Sequence, residues 1–391
     1  MARGPVGGPA DPAAEAYLDA NATEPIRPTA REAVVAALDL VGNPSSVHGA
    51  GRAARRLLET AREKVAARFG ARPAEVVFTA GGTEANALAI HGLAGAAGRR
   101  RRLLVGATEH PSVWAAARAA AGEDGTVETV PVRNDGQVDL DALAALLAAA
   151  PEALVCLMAA NNETGVLHPL AEVAALCRRH GALLHVDAVQ AAGRVPVSLA
   201  GIGADSLALS GHKLGGPKGA GALLLRPGLD PAPLIPGGGQ ERGRRGGTEP
   251  LPAIAGLAAA AEDALPEQAE AALAPLRDRF EAGVRALAPE ARILGAEAPR
   301  LPNTSCILLP GVPAETQVIA LDLAGVRVSA GSACSSGKVA RSPVLEAMGL
   351  GEAAAGEAIR VSLPWNATAA SVERFLDAWA ALRERMRRRA A

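Results

Sequence analysis

The chain has 391 residues, 49% of them hydrophobic and 21% charged, which excludes a disordered polypeptide and leaves room for a sizeable core. Forty basic residues against forty-one acidic give a net charge of -1, so no global positive field exists for nucleic acid or an anionic membrane. Aromatic residues are only 2%, so that core must be built from Ala, Leu and Val.

Residues 1–16 (MARGPVGGPADPAAEA) are rich in Pro, Gly and Ala and lack an apolar h-region, so they read as a flexible leader rather than a signal peptide. Strands are then predicted at residues 75–79, 103–107, 127–132, 154–158, 183–186, 206–209 and 222–225. Helical patterns fall between them, as at 51–69, 140–149 and 170–180. Such alternation predicts βαβ units around a mainly parallel sheet, an α/β fold. Residues 237–247 (GGGQERGRRGG) are too glycine-rich for a regular element. Beyond residue 260 come Ala-rich helices from 255 to about 287, strands near 304–309 and 326–329, and a closing helix from about Ser371. Val372, Phe375, Leu376, Trp379, Leu382 and Met386 lie on one face of that last helix. The predicted division is a leader (1–16), a large α/β domain (17–260) and a smaller α+β domain (261–391).

No stretch approaches the ~18–20 uninterrupted apolar residues of a membrane helix. Four cysteines, Cys156, Cys177, Cys306 and Cys334, lie far apart without a C-x-x-C pair. That argues against a disulfide framework or a structural zinc site and suits the reducing cytoplasm. The arginine runs at 99–102 and 387–389 read as solvated charged faces. No direct nucleic-acid partner, membrane partner or metal is expected.

In α/β sheets ligands bind beyond the carboxyl ends of the strands, so the residues there are the candidates. The first strand runs into Ala80-Gly81-Gly82-Thr83-Glu84 and a helix, an arrangement that offers an anion free N–H groups and the Thr83 hydroxyl. An ordinary glycine turn with a Thr cap is the alternative. A Walker A loop is excluded, because the chain has no G-x-x-x-x-G-K-[ST]. The strand at 183–186 ends in Asp187, a carboxylate that is costly to bury without a cationic partner. The strand at 206–209 ends in Ser210-Gly211-His212-Lys213. The only other lysines are Lys64, on an amphipathic helix, and Lys218 and Lys338, in loops. Lys213 alone follows a buried strand, where desolvation lowers an amine toward neutrality. Pyridoxal phosphate needs a lysine for its Schiff base, a carboxylate at its ring nitrogen and donors for its phosphate. Lys213, Asp187 and the group Gly82, Thr83, Ser210 and His212 match those needs, and His110, after the strand at 103–107, could stack on the ring.

These residues resemble the class V aminotransferase group, fold type I of the pyridoxal-phosphate enzymes. Further motifs are similar to cysteine desulfurases of the iron–sulfur-cluster assembly type. They are Tyr17-Leu18-Asp19 with Ala22-Thr23, Gly42-Asn43-Pro44-Ser45-Ser46 with His48, Thr108-Glu109-His110 and Asn161-Asn162-Glu163-Thr164-Gly165. The match continues through Asp187 with Gln190, Gly237-Gly238-Gly239-Gln240-Glu241-Arg242, Gly246-Gly247-Thr248, Gly331-Ser332-Ala333-Cys334-Ser335-Ser336-Gly337 and Ile359-Arg360 with Ser362. They follow the family's order from residue 17 to about 362.

The resemblance implies a large domain with a mainly parallel seven-stranded sheet plus a smaller α+β domain carrying the catalytic cysteine loop. It implies conversion of L-cysteine to L-alanine, with the sulfur taken as a persulfide on Cys334. Cys156, Cys177 and Cys306 fall on predicted strands and a helix, where cysteine is normally a small buried hydrophobe. By the same resemblance Lys213 holds the cofactor and acts as the base, and His110 stacks on the ring and moves protons. Gln190 and Asn162 meet the ring oxygen, with Asn162 also near the substrate, and Arg360 takes the substrate carboxylate, its alternative being a surface ion pair. Thr248 reaches the phosphate of the neighbouring subunit, which implies a homodimer. Sulfur-acceptor proteins of iron–sulfur assembly or transfer-RNA thiolation are the implied partners.

The chain departs from the family pattern in three places. Glu24 stands where a second Thr is common, near the substrate entrance, and Pro364-Trp365-Asn366 replaces a common Gly-Arg pair. Lys338-Val339-Ala340-Arg341 follows the cysteine loop, where relatives carry an acidic residue and a proline. Alternatives on the same scaffold are a selenocysteine lyase, a general aminotransferase or an inactive scaffold that binds assembly proteins.

Overall fold

The protein is described by a computed structural model covering residues 15–95, 101–123, 125–149, 152–331 and 341–390. Cys334, Lys338, Arg99, Arg100 and residues 1–14 lie outside the described residues. After β1 (Ala16–Tyr17), seven strands build the main sheet: β2 (Val76–Thr79), β3 (Leu103–Gly106), β4 (Val127–Val130), β5 (Leu154–Met158), β6 (Leu183–Asp187), β7 (Ser206–Ser210) and β8 (Gly221–Leu225). Their spatial order is β2-β8-β7-β6-β5-β3-β4. Only β8 runs antiparallel to its neighbours. Strands β2, β3, β5, β6, β7 and β8 are buried at every residue. Both faces are covered by helices, so these runs are mainly apolar rather than alternating, with buried polar exceptions such as His185 and Ser206.

Helices that accompany this sheet include α1 (Pro28–Leu38), α2 (Gly49–Arg68), α3 (Gly82–Ala94), α4 (Pro111–Ala121), α5 (Leu140–Ala149) and α6 (Leu170–Arg179). Helix α2 buries Ala54, Leu58, Ala61 and Val65, a 3–4 spacing that makes one apolar stripe. Its start is capped by the His48 ring, which accepts from the Gly51 N–H. The predicted helical stretch from 255 to 287 divides into Leu251–Asp263 and Pro266–Leu287. Proline at 266 cannot donate to the preceding turn but suits the first turn of a new helix.

A second sheet has order β12-β13-β10-β9, all antiparallel, from β9 (Arg292–Leu294), β10 (Thr304–Leu308), β12 (Ser329–Ala330) and β13 (Ala358–Ser362). The predicted strand at 326–329 splits. Strand β11 (Val326–Arg327) pairs in parallel with β1, while β12 turns to pair with β13. Ala16, assigned to the leader in the sequence reading, and residues 17–19, grouped there with the large domain, lie against these strands. Leu18 is buried with Phe280, Ile307, Ile359 and Trp379, and Asp19 bridges to Ser362. The closing helix Ala369–Ala390 places Val372, Phe375, Trp379 and Leu382 in that core, with Leu376 and Met386 at its margin. Phe375 packs on Phe280 at 4.7 Å between ring centroids. Among the described residues no helix is long and apolar enough to cross a membrane.

Candidate active site

The carboxyl ends of β2, β3, β5, β6 and β7 face one cavity of about 960 Å³. Five parallel strands leave their C-terminal residues on one edge, and the segments that follow must bend over it. Nine residues singled out in the sequence meet there: Gly82, Thr83, His110, Asn162, Asp187, Gln190, Ser210, His212 and Lys213. Thr248 is exposed and does not line the cavity. Arg360 does not line it either, being buried on β13.

Helix α3 begins at Gly82 with Gly81 as its N-cap, so no side chain occupies the cap. Its first N–H groups therefore face the cavity mouth beside Thr83, Ser210 and His212, an arrangement suited to an anion. The cap carries no side-chain hydrogen bond, so the alternative of a glycine turn with a Thr cap is not what forms. A Cβ on Gly82 would sit 2.6 Å from Val189 Cγ2, which explains the glycine at this close approach.

Asp187 ends β6. Its Oδ1 accepts from the Val189 N–H at 2.9 Å and its Oδ2 from Asn86 Nδ2 at 2.7 Å. These neutral donors, rather than the cation expected from the sequence, hold the buried carboxylate. Burial raises its pKa above the usual carboxylate range, and those two hydrogen bonds, then His110 and Lys213, pull it back. Lys213 lies in a short turn (Gly211–Lys213) after β7, the strand beside β6. Its ammonium donates to the Ala22 carbonyl at 3.0 Å and to the Asn21 carbonyl. Burial, then Arg360 and Arg194, push the Lys213 amine down to about 7. Close to neutral pH a substantial share, about half, is therefore the free amine, the nucleophilic and basic form.

His110 caps α4. Its Nδ1 accepts from the Ser112 N–H at 3.1 Å and lies 2.8 Å from Ser112 Oγ. The neutral ring then carries its proton on Nε2, and burial lowers its pKa. Behind it Glu109 is wholly buried, with Oε1 on the Met158 N–H. Desolvation, then the Asp187 charge, raise the Glu109 pKa well above the usual carboxylate range.

Gln190 donates from Nε2 to the Asn21 carbonyl at 2.9 Å, and its Oε1 accepts from Arg194 at 2.5 Å. Arg194 in turn pairs with Glu24 at 3.0 Å, both buried. Glu24 also accepts from the Trp365 N–H at 2.5 Å, and the Trp365 indole donates to the Pro25 carbonyl at 2.9 Å. Two of the three departures from the family pattern thus meet each other, and Glu24 is a buried partner of Arg194. Arg360 pairs with Asp19 at 2.7 Å and donates to the Asn162 carbonyl at 3.1 Å, while its Nε has no partner among the described residues. Arg360 is buried and Asp19 partly so, which makes this a part-buried ion pair rather than the surface pair weighed from the sequence. Cys156, Cys177 and Cys306 are buried, and burial raises each thiol.

The sequence reading missed Asn86 and Ser112, which also line the cavity. Asn86 stands three residues after Thr83, one helical turn along the same face of α3, and that spacing was the available signal.

The lining fits pyridoxal phosphate: an amine near neutrality, a buried carboxylate on the adjacent strand and an uncapped helix N-terminus open into one space. Comparison with known proteins gives the same direction. The family described as aminotransferase class-V matches residues 16–375. A cysteine desulfurase of Cereibacter sphaeroides is 47% identical over 364 residues, 92% of this chain and 94% of that protein. The cysteine desulfurase NifS of Azotobacter vinelandii is 40% identical, covering 93% of this chain and 91% of that protein. The solved structure of a NifS-like protein from Rickettsia africae superposes with a TM-score of 0.86 at 33% identity, over 95% of this chain and 99% of that one.

Proposed function

Because the chain belongs to the class-V aminotransferase family, and within it to the pyridoxal-phosphate-dependent cysteine desulfurases, we propose that it moves the sulfur of L-cysteine onto Cys334, releases L-alanine and hands the sulfur to acceptor proteins. The observation that carries this reading is the meeting of Lys213, Asp187 and the α3 N-terminus in one cavity. Bound there, pyridoxal phosphate supplies the electron sink that stabilises negative charge at the substrate α-carbon.

The residues divide the remaining work. Lys213 would hold the cofactor, and its low pKa leaves a free amine to take the α-proton. Asp187 would face the ring nitrogen, Gln190 and Asn162 the ring oxygen, and Gly82, Thr83, Ser210 and His212 the phosphate. Thr248 of the partner subunit would complete the phosphate site in a homodimer. His110 would lie on the ring face and, with Nδ1 engaged by Ser112, offer an Nε2 proton rather than a basic lone pair. Arg360 would take the substrate carboxylate bidentately by exchanging its Asp19 partner. The Cys334 thiolate attacks the substrate sulfur, its carbon–sulfur bond breaks, and a persulfide remains on Cys334. We read the chain as a large cofactor-binding domain up to about residue 260 and a smaller one beyond it, in a cytoplasmic enzyme feeding iron–sulfur cluster assembly or transfer-RNA thiolation.

The test is sulfide and alanine release from L-cysteine by wild type and Cys334→Ala, with cofactor absorbance followed in the same cuvette. We expect equal alanine and sulfide under reductant from wild type. The variant should show the absorbance change of substrate binding but no sulfide. Equal activity in both proteins would remove Cys334 from the mechanism, and far greater turnover of selenocysteine would move the reading to a selenocysteine lyase.

A further inference from the structure

Asn86 lies on α3 between the two elements that carry Asp187 and His110, and every polar atom of its amide is engaged. Its Nδ2 donates to Asp187 Oδ2 at 2.7 Å and approaches Ser112 Oγ at 3.4 Å. Its Oδ1 lies 3.0 Å from Nε2 of His185, a wholly buried ring on β6 whose Nδ1 is 2.9 Å from Ser206 Oγ. Both oxygens of Asp187 accept hydrogen bonds, Oδ1 from the Val189 N–H.

The direction of every bond then follows from one constraint. A carboxylate can only accept, so the amide must turn its NH2 toward Asp187 and its oxygen toward His185. His185 must therefore carry its proton on Nε2, which leaves Nδ1 to accept from the Ser206 hydroxyl. Burial pushes His185 down to about 3, so the ring is neutral and holds only one proton to place. On the other side, the second Nδ2 hydrogen points to Ser112 Oγ, whose own hydrogen is directed at His110 Nδ1 at 2.8 Å. The chain runs Ser206 to His185 to Asn86, and divides there toward Asp187 and, through Ser112, toward His110.

We propose that Asn86 is a positioning residue for the reaction: its amide, locked in one orientation by His185, aims the Asp187 carboxylate and sets the tautomer and tilt of the His110 ring. The proposal rests on the reading that Asp187 faces the cofactor's ring nitrogen. A carboxylate free to rotate would reach that nitrogen in only a fraction of its orientations. With Oδ1 and Oδ2 each holding one donor, the carboxylate plane is fixed while lone pairs remain for a further partner.

The experiment has one part on the wild type and one on variants, all as full-chain holoenzyme. Histidine-labelled wild type is read by nitrogen NMR, and His185 is expected as the Nε2–H tautomer. An Nδ1–H ring would reverse the chain and overturn the proposal without any mutant. Asn86→Asp then places an acceptor against Asp187. Loss of a hydrogen bond to a charged group predicts cofactor affinity weaker by about 10- to 100-fold. The cofactor absorbance should also titrate at a shifted pH. Ser112→Ala cuts only the His110 branch, so cofactor affinity should stay at the wild-type value while kcat falls and its pH profile moves. A variant that loses thermal stability but keeps wild-type affinity and absorbance titration would show Asn86 to be structural only. Asp187→Asn separates the two readings. If it leaves cofactor affinity unchanged, the assignment of Asp187 itself fails, whereas a weakened Asp187→Asn beside an unaltered Asn86→Asp overturns only the role of Asn86.

Discussion

The Lys213 amine offers a prediction whose size follows from its environment. Its ordinary pKa is 10.5 and burial, with Arg360 and Arg194 nearby, takes it to about 7 in the folded chain. Between those values the unfolded chain holds a proton that the folded chain has released, so stability rises with pH across this window. Below about pH 7 both states are protonated and the full penalty applies, and above about 10.5 it vanishes. Replacement by methionine, Lys213→Met, keeps the length of the side chain and removes the titration. The wild type should therefore gain on the variant by about 2.5 kcal/mol between pH 6.5 and pH 9, at 1.36 kcal/mol per pKa unit for a full shift. Urea unfolding of the cofactor-free proteins at the two pH values measures this. Packing and hydrogen-bond effects of the substitution that do not depend on pH cancel in the difference. A stability gap that stays flat within about 0.5 kcal/mol would mean that the amine keeps its ordinary proton affinity, and the argument for Lys213 as a free amine near neutrality would collapse.

Other substitutions test the packing and the buried charges. Glu24→Gln leaves Arg194 buried without its carboxylate and should cost about 3–5 kcal/mol by denaturant titration, with non-additive coupling to an Arg194 change in a double-mutant cycle. Arg62 and Glu241 form a buried pair at 2.7 Å that also accepts the Phe78 N–H and pins a loop with left-handed residues at 241 and 242. Arg62→Met should destabilise by a similar ~3–5 kcal/mol and loosen that loop to proteolysis, and a protease pattern identical to wild type would argue against the pinning. Phe375→Ala removes the ring packed at a tilt against Phe280 in the second core and should lower stability by about 3–5 kcal/mol. Trp379→Phe deletes a buried N–H that has no partner among the described residues, so it should cost far less than Trp379→Ala in the same melt. Gly82→Ala puts a Cβ against Val189 and should weaken cofactor retention on dialysis while leaving the melting of the cofactor-free protein close to wild type.

Much of the main sheet was legible in the linear chain because all its strands but β4 are buried throughout and read as short, mainly apolar runs. Strand β5 and helix α5 appear at the predicted residues, and the other main-sheet strands differ by a residue or two at their ends. Lys213 and Asp187 were legible for a related reason, since charged residues directly after apolar strands must stand at the sheet's carboxyl edge. What the chain alone could not show was every relation between segments distant in sequence. Residues 16–19 carry too few side chains to reveal that they pair with β11 and Ser362, because backbone hydrogen bonding has no residue code. Glu24 and Trp365 are 341 residues apart, and only their meeting through a backbone N–H explains why two departures occur together. Arg360 was rightly singled out as a residue of consequence, yet its pairing with Asp19 depends on how β13 lies beside the first strand. Asn86 was invisible for the same reason: an asparagine on a helix acquires direction only when His185, Ser112 and Asp187 close around it. Sequence determined which segments were strand, helix or loop and which charged groups ended at the sheet's edge, since those follow from local burial and periodicity. Tertiary structure alone decided the partners, because hydrogen-bond direction and the displaced pKa values arise from desolvation among groups that the chain brings together only on folding.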